Sequence, residues 1–127
     1  MEDKKKGHGH KKYAIWRNLE ELSPIVFRRI IPLIPQSKFK VRDQIERAMS
    51  SIGANFIEGY YSCSTKEFMR FSRYSRRSLA ELEYWVGYCF NKKFIPESLF
   101  KRTEDLMIRT GYLIDRLIIS LTRKITS

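Results

Sequence analysis

Apolar residues recur along the chain at the three-and-four spacing of amphipathic helices, in four blocks separated by proline, glycine and short polar turns. In the first block, over residues 13–33, Ile15, Trp16, Leu19, Leu22, Val26, Ile30 and Leu33 share one side. Pro24 interrupts it; the ring removes an amide donor and crowds the preceding turn, so a kink or break near Ser23 is expected. Pro32 and Pro35 end the block and open a connection that closes on the basic Lys38-Phe39-Lys40. The second block, 41–59, places Val41, Ile45, Ala48, Met49, Ile52 and Phe56 on one face. Gly59 falls where a helix C-terminus favours a residue free of Cβ strain. The third, 65–91, opens with Ser64 and Glu67 at the spacing of a capping box. Its seam runs Phe68, Phe71, Ser75, Ser78, Leu82, Trp85 and Cys89. The fourth begins at Pro96, tolerated at a first helical position, and continues to Lys124. The pattern predicts an all-α, antiparallel up-and-down four-helix bundle over residues 13–127. Residues 1–12, polar and lysine-rich with two glycines, read as a flexible basic tail.

The fourth block is apolar on more sides than one bundle position requires. One stripe runs Leu99, Thr103, Leu106, Thr110, Leu113 and Leu117; a second runs Phe100, Met107, Ile114, Ile118, Leu121 and Ile125. The surplus points to burial against another subunit through Phe100, Met107, Ile114, Ile118 and Leu121, the alternative being a deep central helix within one chain. Asn55, Ser75 and Ser78 are polar residues on apolar faces. Such groups most often hydrogen-bond one another and fix helix register, because a buried amide left unpaired costs about 1–3 kcal/mol.

The segments SSIGANFIEGY and STKEFMRF, followed by SLAELE, carry a family resemblance. The chain resembles the small four-helix-bundle proteins encoded in intervening sequences of bacterial 23S ribosomal RNA genes, whose pattern is SIPANIAEGY, then SKKEFIRFL and GSLAELE. The matching residues are Ser51, Ile52, Ala54, Asn55, Glu58, Gly59, Tyr60, Lys66, Glu67, Phe68, Arg70, Phe71 and Ser78–Glu83. Gly53 stands in place of the usual proline, and Phe56-Ile57 in place of Ile-Ala. The accessory variability determinants of diversity-generating retroelements are similar in fold. The resemblance implies a pentameric ring and, for the retroelement branch, a reverse transcriptase and RNA as partners. It brings no catalytic residues.

Charge changes the picture more than composition does. The 127 residues carry a net charge of +11, which attracts polyanions, nucleic acid before an anionic membrane surface. No apolar window is long enough to span a bilayer, and no apolar core follows the N-terminal lysines, so neither a membrane span nor a secretory signal is expected. Cys63 and Cys89 form no CxxC pair and make no disulfide scaffold, which fits a reducing cytoplasm. An enzyme is not expected. Both histidines, His8 and His10, lie in the tail, so a nucleophile in the bundle has no histidine base. Two histidines on a tail also make a weak metal site, and Glu58, Glu81 and Glu83 lack the histidines that carboxylate metal bundles use. No cofactor or metal is expected.

The sharper signal is on the third block. At 100° per residue, Lys66, Arg70, Arg73 and Arg77 fall within about 60°, nearly opposite the apolar seam. Arg76 flanks this strip, and its continuation reaches Glu81, then Tyr84 and Tyr88. Guanidinium forks match phosphates and aromatic faces stack unpaired bases, a combination suited to RNA. An ordinary solvated face would mix signs, whereas these four are all cationic. Lys38 and Lys40 add a second basic point. Three settings follow: a retroelement accessory protein holding template RNA and docking a reverse transcriptase, favoured by basicity; an intervening-sequence protein binding ribosomal RNA, favoured by the motifs; and an interaction scaffold without nucleic acid.

Overall fold

The computed structural model describes residues 9–127, and among these every regular element is helical. Helix α1 (Ala14–Pro24) continues into a π-helical turn, Ile25–Ile30, and a 3-10 turn, Ile31–Leu33. A further 3-10 turn, Gln36–Lys38, leads into α2 (Phe39–Tyr60); α3 (Thr65–Asn91) and α4 (Glu97–Thr126) complete the four-helix bundle. Number and order of the helices agree with the hydrophobic pattern; α2 begins two residues earlier and ends one later than expected, and α4 begins one residue later and ends two later.

The α-helix ends at Pro24, one residue from the expected kink or break, and the chain continues as a π turn; Pro24 itself stays right-handed helical (φ −62°, ψ −34°). The Ile25 amide donates to the Leu22 carbonyl, and the Ile31 amide reaches back five residues to Val26, the signature of a π turn. The widened turn keeps Leu22, Ile25, Val26 and Ile30 all in the core.

At the other end of α2, Gly59 serves a purpose different from the one its position suggests. Helix α2 runs through it to Tyr60, and a Cβ there would lie 2.8 Å from the Phe71 Cβ and 3.3 Å from the Phe68 carbonyl oxygen. Close approach of α3, rather than a left-handed cap, requires the glycine. Ser64 then caps α3 as expected, its Oγ accepting the Glu67 amide at 3.1 Å.

The core is continuous from Ile15 to Leu121. Along α2 and α3, Ser51 meets Ser78, Ile52 meets Ser75 and Gly59 meets Phe71. Along α3 and α4, Met69 meets Thr122, Arg76 meets Asp115, and Phe90 stacks on Phe100 with centroids 4.3 Å apart. The polar positions form a short relay. Ser75 donates to the Ile52 carbonyl at 2.7 Å, Ser78 donates to Ser51 Oγ at 2.8 Å, and Asn55 donates to the same oxygen at 2.9 Å. Direct pairing of Asn55 with Ser75 or Ser78, the expected lock, is replaced by a link through Ser51. Asn55 also reaches the Ser51 carbonyl one turn back.

Two expectations need correction. Met107, Ile114 and Leu121, assigned to a subunit interface, are 1–4% exposed within the chain's own core. Helix α4 is central enough for most of both stripes to be covered, Ile125 at the end of the second excepted, and the hydroxyls of Thr103 and Thr110 are satisfied by carbonyls one turn back. Phe100 is half-covered by Phe90, and Ile118 sits beside α3. The apolar surface that α4 does expose is Ile108, Tyr112, Ile119 and Ile125. The second correction concerns the tail. Gly9–Lys12 form a 3-10 turn, and His10 is buried, its ring hydrogen-bonded to the Tyr61 hydroxyl at 2.8 Å and edge-on to Trp16. Aromatic surface from Trp16, Tyr60 and Tyr61 holds it there. The rest of the expected tail, with His8, lies outside the described residues.

Candidate nucleic-acid interface

Helix α3 places the basic strip by rotation alone. Its inward positions, Phe68, Ser75, Ser78, Leu79, Leu82 and Val86, are buried, so Lys66, Arg70, Arg73 and Arg77 are carried to solvent. The four are not equivalent. Arg70 is clasped by Glu67, with Nε–Oε1 at 3.2 Å and Nη2–Oε2 at 2.6 Å, and its Nη1 reaches the Tyr74 hydroxyl at 3.4 Å. The hydrogen bond to Glu67 raises the Arg70 pKa, and the bond from Arg70 lowers that of Glu67. Glu67, which could have reached back to the Ser64 amide in a full capping box, turns forward instead. Arg70 is thereby partly neutralised. Lys66, Arg73 and Arg77 make no ion pair among the described residues.

Arg76 is not part of the cationic face. It is one-third exposed and bridges Asp115 at 3.0 Å and Glu83 at 3.3 Å, fastening α3 to α4. Beside it runs a shallow groove of ≈460 Å³ lined by Arg73, Arg76, Arg77, Ala80, Asp115 and Ile118. Arg73 and Arg77 therefore stand over a depression with an apolar floor at Ala80 and Ile118.

The aromatic members also divide. Tyr84 is 64% exposed and stands nearly perpendicular to Trp85, with most of its ring in solvent. Tyr88 packs on Trp85 and Phe94 and has the Lys92 ammonium 5.6 Å from its ring centroid. Tyr74, which the periodicity does not single out, lies between two arginines, with Arg70 5.7 Å and Arg77 5.4 Å from its centroid. An aromatic four residues after one arginine and three before another is the signal that could have revealed it.

Lys38 and Lys40 are exposed but stand at the start of α2. The 22 residues of α2 place them about 33 Å from the turn that precedes Lys66, far from the Lys66 end of the strip. Glu83 is engaged by Arg76, while Glu58 and Glu81 are exposed. A larger concavity, ≈690 Å³, lies between α1 and α2 along Trp16, Leu19, Pro24, Phe27, Met49 and Ile57, with Glu20 its one ionisable lining group among the described residues. Among the described residues no helix is long and apolar enough to cross a membrane.

Fold and surface together define an all-α bundle protein with a cationic outer helix face. The model of the 23S rRNA-intervening sequence protein family matches residues 11–116, and the chain belongs to that family. The motifs around Asn55 and Glu67 thus carry the resemblance correctly. No curated protein shows significant similarity to the chain.

Proposed function

We propose that this protein is a non-enzymatic, self-associating RNA-binding protein, built as an antiparallel up-and-down bundle, whose α3 face takes phosphate. The reversed order of the α2–α3 and α3–α4 pairings supports that topology. The observation that carries the RNA reading is the set Lys66, Arg73 and Arg77, exposed and without an ion pair among the described residues, on one side of a rigid helix, with Tyr84 open further along. Phosphate recognition needs such groups, and a stacking ring adds affinity for unpaired bases.

The family's name links its members to intervening sequences of ribosomal RNA, which favours RNA of that origin as the ligand. The retroelement setting, with a reverse transcriptase as partner, rests on fold resemblance alone and is the second reading. Self-association is supported by the apolar residues α4 leaves in solvent, Ile108, Tyr112 and Ile119, and a ring of five subunits is the number the resemblance implies. A ring would repeat the cationic face and raise its effective concentration for one RNA.

The test is a salt titration of RNA affinity for wild type and for the combined Lys66→Gln, Arg73→Gln, Arg77→Gln variant. Gln matches Arg and Lys in helix propensity, so the fold survives. Weaker binding with a shallower salt slope is expected; equal affinity at every salt concentration would leave the face as ordinary solvated surface.

A further inference from the structure

Helix α4 carries a second arginine row that the hydrophobic pattern conceals. Arg102, Arg109, Arg116 and Arg123 recur at intervals of seven and are all exposed. Seven residues make nearly two turns, so the four stay within about 60° of one another and succeed each other every ~10.5 Å along the axis. All four lie inside the unbroken span Glu97–Thr126.

The row occupies its own side of the bundle. Asp115 points toward α3, where Arg76 holds it, whereas its neighbour Arg116 stands beside Tyr13 and Ala14 at the start of α1. Asp115 and Arg116 are thereby turned to different neighbours. The one acid in the row's path is Asp105, bonded to Arg109 at 2.9 Å. The side chains of Arg102, Arg116 and Arg123 make no ion pair or hydrogen bond among the described residues. The other positions within the row's arc include Ser98 and Ser120, and none is aromatic. The nearest exposed ring, Tyr112, stands about 20° outside the arc and belongs with Ile108 and Ile119 to the neighbouring apolar patch.

We infer that this row is a phosphate track for paired RNA, separate from the α3 face; it rests on the RNA-binding reading above. Three features favour a duplex over a single strand. The spacing is even and set by one rigid helix, which suits a regular backbone. No ring lies within the row to stack on a splayed base. Double-stranded RNA is recognised mainly through its shape, phosphates and 2′-hydroxyls, for which arginines and small hydroxyl side chains are the appropriate groups. The α3 face, with Tyr84 and Tyr74, is furnished instead for unpaired nucleotides.

The experiment compares the full chain with two variants: Arg102→Gln, Arg109→Gln, Arg116→Gln, Arg123→Gln together, and the α3 triple variant. The probes are a blunt RNA duplex of about two helical turns and an unstructured single strand of the same length. The α4 variant should lose at least about tenfold in duplex affinity near physiological salt, and its log–log salt slope should fall by about 3 to 4, since each contact contributes about 0.9. Its single-strand affinity should change far less. Duplex binding equal to wild type overturns the inference. If the α3 variant fails on RNA in the same series, the proposed function stands and only the track is lost. A change of sedimentation with unchanged duplex affinity also overturns it, and assigns the row to a contact with a second copy of the chain. Circular dichroism of each variant confirms that helicity is retained.

Discussion

The Arg76 guanidinium lies across Gly111, its Cζ and Nη2 each 3.2 Å from the point a Cβ would occupy. The bare backbone of α4 at this position is what lets the side chain reach Asp115 on one flank and Glu83 on the other. An arginine that sequence alone would count among the phosphate ligands is in this way committed to joining two helices.

Substitution of Arg76 should therefore separate stability from binding. Arg76→Gln is expected to lower stability by about 1 kcal/mol, a modest figure because the ion pairs are partly solvated, and to leave RNA affinity unchanged. Arg73→Gln should do the reverse. Urea denaturation alongside RNA titration checks both, and the prediction fails if Arg76→Gln weakens RNA binding as much as Arg73→Gln.

Three glycines should respond differently to alanine. A methyl group at Gly87 would meet nothing within 4 Å, so Gly87→Ala should stabilise by about 0.5–1 kcal/mol through helix propensity. At Gly59 the methyl would strike the Phe71 Cβ at 2.8 Å, which cannot move without its helix, so Gly59→Ala should destabilise by about 1–3 kcal/mol. Gly111→Ala should fall between, as propensity is offset by displacement of Arg76. The order of denaturation midpoints is the measurement.

The serine relay makes Ser51 its pivot. Ser51→Ala removes the acceptor used by both Ser78 and Asn55 and should cost about 1–2 kcal/mol, more than Asn55→Ala. Adding Ser78→Ala to Ser51→Ala should cost less than the two single changes summed, because the stranded hydroxyl is gone. Additive losses would show that the two serines are not coupled.

The two thiols should behave as opposites. Cys63 is exposed in the α2–α3 turn and Cys89 is buried near the end of α3. An aromatic disulfide reagent should titrate one thiol in the native protein and two after unfolding. Burial pushes the Cys89 pKa up from 9.0 to about 11. The folded state thus holds this proton after the unfolded state has released it, and the associated stability is lost as pH rises from about 9 to 11. Cys89→Ala should be less stable than wild type at about pH 7, with the gap narrowing by up to about 2–3 kcal/mol across that window. A constant gap would contradict the burial of the thiol.

Helices are legible because burial repeats with their period: Ile45, Ile52 and Phe56 or Leu82 and Val86 could hardly be placed otherwise. Which apolar stripe meets a second chain is not legible. Periodicity measures the total apolar arc of α4 and is blind to how much of that arc α1 and α3 cover, so Met107 and Ile114 look surplus. The basic face has the same weakness. A helical wheel puts Arg70 and Arg77 on one strip with Arg76 at its flank, but Glu67 and Asp115 decide which of them keep a free charge, and Asp115 is 39 residues away from the arginine it binds. His10 is misplaced for a related reason: a histidine in a polar, glycine-containing run is buried only because Tyr61 and Trp16 come back to it from elsewhere in the chain.

The π turn after Pro24 bears on how genes of this kind can vary. It encloses one more residue per hydrogen-bonded ring than the α-helix on its N-terminal side. Chain length can therefore change there by one codon, the wide turn relaxing to an ordinary one, while Leu22 before it and Ile34 after it keep their places in the core. An alignment of this chain with its relatives should be allowed a one-residue gap inside Ile25–Ile30 before any mismatch downstream is read as divergence.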